Sequence, residues 1–318
     1  MTDIDLTIII CTYNRAALLG KCLESLRAQT ADTLRYEVLV VDNHSTDDTP
    51  SVVQAYEQEI PGLRHVMEAK IGLSHARNRG FAEAHGEYLI YLDDDVVLPP
   101  DYLLNVSKVI TEHQPDIMGG PVYPYYLSKK PWWFRDEFET KKYEEVSGFS
   151  TTCLITGCNY VIRRTTLERL GLFDARFGMR GDSLGMLEER KILEQYRAAT
   201  PPGGQRVYYA VECYVRHYVP ERKMRLTYIA SRSYVAGYAA RRMDSDVKGR
   251  PSIFVGWVAI LSGLWKVASY PFRHIPKNGL YSLDLPKTFV RYIFFDVAWG
   301  VGYIASQVVS PFTFEKSS

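Results

Sequence analysis

The sequence predicts an α/β protein: an open, mostly parallel sheet with helices on both faces, followed by a C-terminal helical region that associates with membranes. Three observations predict it. From residue 5 to about 215, short aliphatic runs alternate with longer amphipathic stretches. The first runs, Leu6 to Cys11 and Glu37 to Val41, are nearly unbroken β-branched or aliphatic residues, as in strands covered on both faces. The charge also divides: residues 216–318 hold 15 Lys and Arg against 6 Asp and Glu, a net of +9, which leaves residues 1–215 at −8. With 318 residues, 46% of them hydrophobic, the chain can fill a core, which excludes a disulfide-stapled mini-protein and a wholly disordered chain.

The elements follow in order. Arg15 to Ala28 places Leu18, Leu19, Cys22, Leu23 and Leu26 at helical spacing between the first two strands, making one βαβ unit. Ser51 to Glu59 reads as a helix, Arg64 to Met67 as a short strand, Leu73 to His85 as a helix and Tyr88 to Leu92 as a strand ending in acids. Pro121 to Phe149, dense in Pro, Tyr and Trp, reads as an irregular excursion whose aromatics pack. Asn159 to Ile162 reads as a strand and Thr165 to Leu170 as a helix. The glycine-rich run from Gly178 to Gly185 is expected to be mobile and leads into a helix from about Leu187. We divide the chain into domains 1–220 and 221–318.

Beyond the division, Ser252 to Trp265 and Val297 to Phe314 are uncharged and apolar-rich, yet neither offers the roughly 20 mostly apolar residues of a span. A basic stretch precedes them, so interfacial helices on an anionic membrane are expected. Five cysteines, Cys11, Cys22, Cys153, Cys158 and Cys213, show no CxxC spacing, which suggests neither a disulfide framework nor a zinc site. A reducing cytosol fits them. The acidic start Met1-Thr2-Asp3 is unlike a secretory signal. The expected location is the cytoplasm, peripheral on the cytoplasmic face of a membrane.

In an open α/β sheet, ligands gather beyond the carboxyl ends of the strands. The candidate site is therefore Thr12, Tyr13, Asn14 and Arg15, then Asp42 to Ser45, then Asp93, Asp94 and Asp95. Three adjacent carboxylates repel one another, and buried at a strand end they call for a cation or for donors. Oxygen ligands of this kind suit Mg²⁺ or Mn²⁺, which in turn bridge phosphates. Asp42 is placed to accept from a ribose or base, or to serve as a turn acid. The first turn, Cys11 to Arg15, holds no glycine, which speaks against a dinucleotide fold, and neither a Walker loop nor a Gly-x-Ser-x-Gly elbow is present. Glu188 and Glu189 open a helix whose positive end should keep a carboxylate ionised, as a base near neutral pH requires. His217 reads as a third metal ligand, a phosphate partner or a structural histidine.

Taken in order, Ile8-Ile9-Ile10-Cys11-Thr12-Tyr13-Asn14-Arg15, Val40-Val41-Asp42-Asn43 with Ser45 and Asp47, Gly72-Leu73-Ser74-His75-Ala76-Arg77-Asn78-Arg79-Gly80 and Leu92-Asp93-Asp94-Asp95 closely resemble family 2 glycosyltransferases. The resemblance covers roughly residues 5 to 240 and implies the GT-A fold, a nucleotide-sugar donor and inversion at the anomeric carbon. It implies that Thr12, Tyr13, Asn14 and Asp42 hold the nucleotide, with Arg77 near it. Asp93 and Asp95 match a DxD motif for the ribose and the metal on the diphosphate. Gly119-Gly120 and Thr156-Gly157-Cys158-Asn159 look like donor- and acceptor-lining segments. Glu188-Glu189 falls at the Glu-Asp base motif, with Glu189 in place of the Asp, which leaves both as candidates for the base. His217 resembles the family's histidine near the metal or diphosphate. No Gln-x-x-Arg-Trp motif is present, as in non-processive members.

The resulting expectation is a metal-dependent transferase using Mn²⁺ or Mg²⁺, a nucleotide-sugar donor, a UDP-sugar by preference, and a glycan or lipid-linked acceptor at an anionic membrane surface. No nucleic acid is expected among its partners. A sugar nucleotidyltransferase and a non-catalytic nucleotide-sugar or glycan-binding module are the alternatives.

Overall fold

The computed structural model describes residues 5–31, 34–179, 187–248, 254–278 and 290–305. Leu6–Thr12 (β1), Ala16–Arg27 (α1), Tyr36–Asp42 (β2), Thr49–Tyr56 (α2), Leu63–Met67 (β3), Leu73–Glu83 (α3) and Tyr88–Asp93 (β4) follow one another as the alternation predicts. β1 lies between β2 and β4 and runs parallel to both, with Thr12 level with Asp42 and Cys11 level with Asp93. The residues that follow these three strands therefore meet along one edge of the sheet.

The chain continues through Val96–Val97 (β5), Tyr102–His113 (α4), Ile117–Gly119 (β6), Val122–Tyr125 (β7), Gly148–Phe149 (β8), Asn159–Arg163 (β9), Arg164–Leu170 (α5), Glu188–Ala199 (α6), Val207–Tyr209 (β10) and Val215–Tyr218 (β11). Eight strands form one sheet in the order β3-β2-β1-β4-β9-β6-β10-β8, and β5-β11-β7 form a second. β9 is antiparallel to both β4 and β6, with Asn159 opposite Leu92. The start of β9 thus lies beside the end of β4.

Alternation along the strands separates two cores. Ile8, Ile10, Val38, Val40, Ile90 and Leu92 turn to one face and pack with Leu19, Leu23 and Leu26 of α1 and Leu103 and Val106 of α4. Ile9, Leu39, Val41, Leu89 and Tyr91 turn to the other and pack with Ala76 of α3, Leu167 of α5 and Ile192, Leu193 and Tyr196 of α6. Each fully buried leucine among them contributes about 1.5–3 kcal/mol of transfer free energy.

The described residues group into two units. Of the described residues, the first runs through 5–125, 139–179 and 188–218, and the second holds 126–138, Leu187 and those from 219 onward. In the second, Leu226–Lys248 (α7), Phe254–Asn278 (α8), a π-helical stretch Val290–Val297 and Ala298–Ala305 (α9) follow Val219. Gly237 of α7 faces the Trp299 carbonyl and Gly302 of α9 faces the Tyr234 carbonyl, so these two helices touch backbone to backbone. Gly256 and Gly263 of α8 turn toward Gly300 and the Tyr292 carbonyl. On the opposite face of α8, Phe254, Trp257, Val258, Leu261 and Trp265 are exposed. No described helix is long and apolar enough to cross a membrane.

Several expectations change. The excursion from Pro121 to Phe149 contains β7, β8 and a short 3₁₀ turn at Asp136–Phe138, and Phe134 and Phe138 are core residues of the second unit. Tyr102–His113, where no helix is expected from the sequence, is α4 and packs Tyr102, Leu103, Val106 and Val109 inward. The glycine-rich run lies outside the described residues from 180 to 186, as do 252–253 and 306–314 of the apolar C-terminal stretches. Gly120, expected to line the donor, is buried, and a Cβ there would meet the carbonyl oxygens of Ala210 and Cys213. Gly120→Ala is expected to lower stability by about 1–3 kcal/mol, read as a lower urea midpoint with an unchanged slope.

Candidate functional site

The turns after β1 and β2 are latched to each other. Asn14 sits at φ 52°, a left-handed conformation that asparagine tolerates. Its backbone N–H donates to Ser45 Oγ at 2.9 Å and its Oδ1 accepts from the Thr46 N–H at 2.7 Å. Asp47 Oδ2 accepts from the Ala16 N–H at 2.9 Å, satisfying the first turn of α1, for which Arg15 supplies no side-chain cap. Asp42 has no accessible surface: Oδ1 accepts from the Ser45 N–H at 2.8 Å and Oδ2 lies 3.3 Å from His65 Nε2. Asn14 and Asp42 therefore shape the two turns, and half-buried Tyr13 stands between Asn14 and β1.

The acids after β4 are unequally placed. The Asp94 and Asp95 side chains are 4% exposed, that of Asp93 32%. Thr12 Oγ1 donates to Asp94 Oδ2 at 2.8 Å, and Arg15 Nη1 lies 2.9 Å from Asp94 Oδ1 and 3.0 Å from Asp95 Oδ2. Burial, opposed by the Arg15 guanidinium, pushes the Asp94 carboxyl up to about 6. Across the second sheet, His217 pairs with Val96 and the Tyr218 N–H donates to the Asp95 carbonyl at 2.9 Å. That pairing brings His217 Nε2 to 3.1 Å from Asp95 Oδ1 and 3.9 Å from Asp93 Oδ2. Cys158, just before β9, completes a cluster in which the donor atoms of Asp93, Cys158 and His217 all lie within 4.8 Å of one another. The cluster, with Asp95 alongside, has the donors and the negative charge that fit a divalent cation.

On the other side of Asp93 stands Arg77, a buried residue of α3. Its Nη1 lies 2.8 Å from Glu188 Oε1 and 3.9 Å from Glu189 Oε2, and its Nη2 lies 3.4 Å from Asp93 Oδ1 and 3.3 Å from the Gly157 carbonyl. The guanidinium also covers the Phe173 ring, 5.4 Å from its centroid. α3 is held for this role by Ser74, which donates to the Phe177 carbonyl, and by Asn78, which exchanges two hydrogen bonds with Phe173. Glu189 Oε1 accepts from the Gly157 N–H at 3.3 Å.

Glu188 departs from the sequence expectation. The positive end of α6 is expected to keep a carboxylate of the pair ionised, yet at Glu188 burial and the neighbouring Glu189 carboxylate outweigh Arg77 and push the value up to about 8. Its Oε2 is buried with no hydrogen-bond partner among the described residues, which adds to the cost of ionising it. Glu189, 19% exposed, is the more accessible of the pair.

Asn159 is an internal brace: Oδ1 accepts from the Tyr102 hydroxyl and Nδ2 donates to the Cys213 carbonyl, both at 2.7 Å, with no surface exposed. Sequence reasoning marked residues 156–159 as a lining segment without separating their parts. Contacts do so: Gly157 supplies both backbone groups to the Arg77–Glu189 side, Cys158 joins the cluster with Asp93 and His217, and Asn159 braces the turn.

The profile of glycosyl transferase family 2 matches residues 7–171, just over half of the chain. The chain belongs to glycosyl transferase family 2. Among family relatives it is 31% identical over 152 residues to the glycosyltransferase GlyA of Streptococcus pneumoniae, spanning only 22% of that protein's length. It is 25% identical over 246 residues to the glucosyl-dolichyl phosphate glucuronosyltransferase of Haloferax volcanii, covering 75% of this chain and 77% of that one. Solved GT-A structures share the fold. The mannosyltransferase PcManGT of Pyrobaculum calidifontis in complex with GDP-Man and Mn²⁺ aligns over 95% of this chain and 90% of its own, with a TM-score of 0.58 at 20% identity. TarS of S. aureus in complex with UDP-GlcNAc aligns over 91% and 90%, with a TM-score of 0.56 at 15% identity.

Two outcomes follow from the buried charges. Arg77→Met removes the buried cation shared by Asp93, Glu188 and Glu189 and is expected to cost about 3–5 kcal/mol in urea unfolding. Folding raises the Glu188 value from 4.5 to about 8, so this group's unfavourable contribution is absent below the lower value and grows until pH passes the upper one. The melting temperature of Glu188→Gln should therefore rise relative to the wild type as pH goes from about 5 to about 8.5.

Proposed function

We propose that the chain is an inverting, non-processive glycosyltransferase. It moves a sugar from a nucleotide-sugar donor, a UDP-sugar, to a hydroxyl of a lipid-linked or cell-surface glycan by one metal-assisted displacement. The observation that carries this reading is the Arg77 bridge: one buried guanidinium joins Asp93, at the metal-ligating cluster, to the Glu188–Glu189 pair. Two chemistries are thereby held side by side, one for a departing diphosphate and one for a proton.

The latched turns of Thr12–Arg15 and Asp42–Asp47 form the nucleotide cradle. Asp93, Asp95 and His217 would hold Mn²⁺ or Mg²⁺, which when bound offsets the charge of the leaving nucleoside diphosphate. Glu189, more accessible and oriented by the Gly157 N–H, accepts the proton of the attacking hydroxyl. Glu188 keeps its proton near neutral pH and holds Arg77 in place. A base and a leaving group on opposite faces of the sugar give inversion. Support for the donor comes from the solved neighbours, one complexed with UDP-GlcNAc and one with GDP-Man and Mn²⁺. Support for a lipid-linked acceptor comes from the relative named for a dolichyl phosphate substrate.

The exposed aromatic face of α8 supports a peripheral site on the cytoplasmic leaflet: Trp257 and Trp265 suit the headgroup level, and the net +9 of residues 216–318 suits anionic lipid.

Glu189→Gln should lower kcat by roughly 10²–10⁴-fold while keeping the thermal shift given by donor, read by nucleoside diphosphate release and by melting. Loss of turnover in Glu188→Gln alone would exchange the two roles. Trp257→Ser with Trp265→Ser should move the full chain from the floating to the soluble fraction in flotation with phosphatidylserine vesicles. An unchanged distribution would remove α8 from membrane binding.

A further inference from the structure

The cysteines carry no zinc signature in their spacing, yet the fold brings one of them to the place where the proposed transferase would hold its cation. Asp93 arrives at the end of β4, Cys158 from the turn before antiparallel β9, and His217 from β11 through its pairing with β5. Asp93 Oδ2 and His217 Nε2 are 3.9 Å apart. Ligands at bond lengths of about 2.0–2.3 Å around a tetrahedral centre stand about 3.3–3.8 Å apart, so this pair is close to a zinc edge before any ion enters.

The sulfur is positioned. Cys158 is buried, the Asn159 N–H closes the turn onto the Thr156 carbonyl at 2.9 Å, and the Asn159 side chain is fixed by Tyr102 and the Cys213 carbonyl. Asp93 is braced from behind by Arg77, as supporting contacts brace ligands in metal sites. Asp93 and His217 keep partly exposed side chains, so an incoming ligand can reach the open side.

Resting on the reading that this cluster receives the divalent ion, we propose that Cys158 converts it into a mixed sulfur, nitrogen and oxygen site. Asp93, Cys158 and His217 are three protein ligands with an open fourth position, a set that takes Zn²⁺ or Co²⁺ in preference to Mg²⁺. Mg²⁺ demands near-octahedral oxygen and retains its waters, whereas thiolate and imidazole suit zinc and cobalt. The thiol binds as thiolate and its proton goes to solvent. Zn²⁺ is then a competitor of Mn²⁺ at this position.

The test uses the full chain, stripped by a chelator and titrated with Co²⁺. The wild type should develop a near-ultraviolet thiolate-to-cobalt charge-transfer band that saturates at an equimolar amount and is abolished by added Zn²⁺. Cys158→Ser and Cys158→Ala should lack the band with unchanged circular dichroism, which assigns the sulfur among five cysteines, and His217→Ala should require much more Co²⁺ to produce it. A wild-type spectrum without the band, or a band that persists in both Cys158 variants, overturns the proposal. Donor turnover with Mn²⁺ is followed separately: transfer without the cobalt band keeps the transferase reading and removes the sulfur ligand, and the band without transfer does the reverse.

Discussion

The site depends on a buried cation. Arg77 sits in α3, and its guanidinium is in contact with Asp93, Glu188 and Glu189 together. A buried guanidinium is stable only where carboxylates and carbonyls surround it, and a cluster of buried carboxylates only where a cation does. Each therefore fixes the other, and the geometry that results is rigid. Asn78 and Ser74, on neighbouring turns of the same helix, fasten it to residues 173–177, so the helix cannot rotate without breaking those bonds as well.

The two carboxylates at the start of α6 show how environment divides a pair of identical side chains. Glu188 points into the protein, where burial and the Glu189 charge outweigh Arg77 and penalise its charged form; Glu189 accepts from a backbone N–H and retains surface. The helix dipole acts on both, but desolvation of the inner one is larger. Asp94 and Asp93 divide in the same way after β4: the inner acid is tied to Thr12 and Arg15, and the outer one faces the cluster of ligands.

Much of this was legible beforehand. Unbroken aliphatic runs located β1, β2 and β4, and their polar ends located Arg15, Asp42 and Asp93 to Asp95, because strand length and period fix where a run must stop. His217 was marked as one of several options; what brings it to Asp95 is a two-residue pairing with β5, too short for periodicity to reveal. The work of Asn14, Asp42, Asn159 and Gly120 was also hidden. Hydrogen bonds from Asn14 to Ser45 and Thr46, or the close approach of Gly120 to two carbonyls, depend on loops meeting in space, and nothing local in the chain encodes them. Cys158 reads in the sequence as one of five cysteines without ligand spacing and as one member of a segment, since Asp93 and His217 lie far away along the chain. The burial of Glu188 is not legible in the sequence, because its helix position is local while its desolvation is tertiary.

The reversed direction of β9 has a consequence for how such a chain can diversify. Its register is set by β4 on one side and β6 on the other, and its first residues lie beside the end of β4, where Asp93 stands. The connection that enters it closes a loop, whose entropic penalty grows only with the logarithm of its length. Insertions upstream of Thr156 can therefore accumulate in descendants with little loss of stability, and each would alter what borders the acids after β4 while leaving the strands beneath them unchanged.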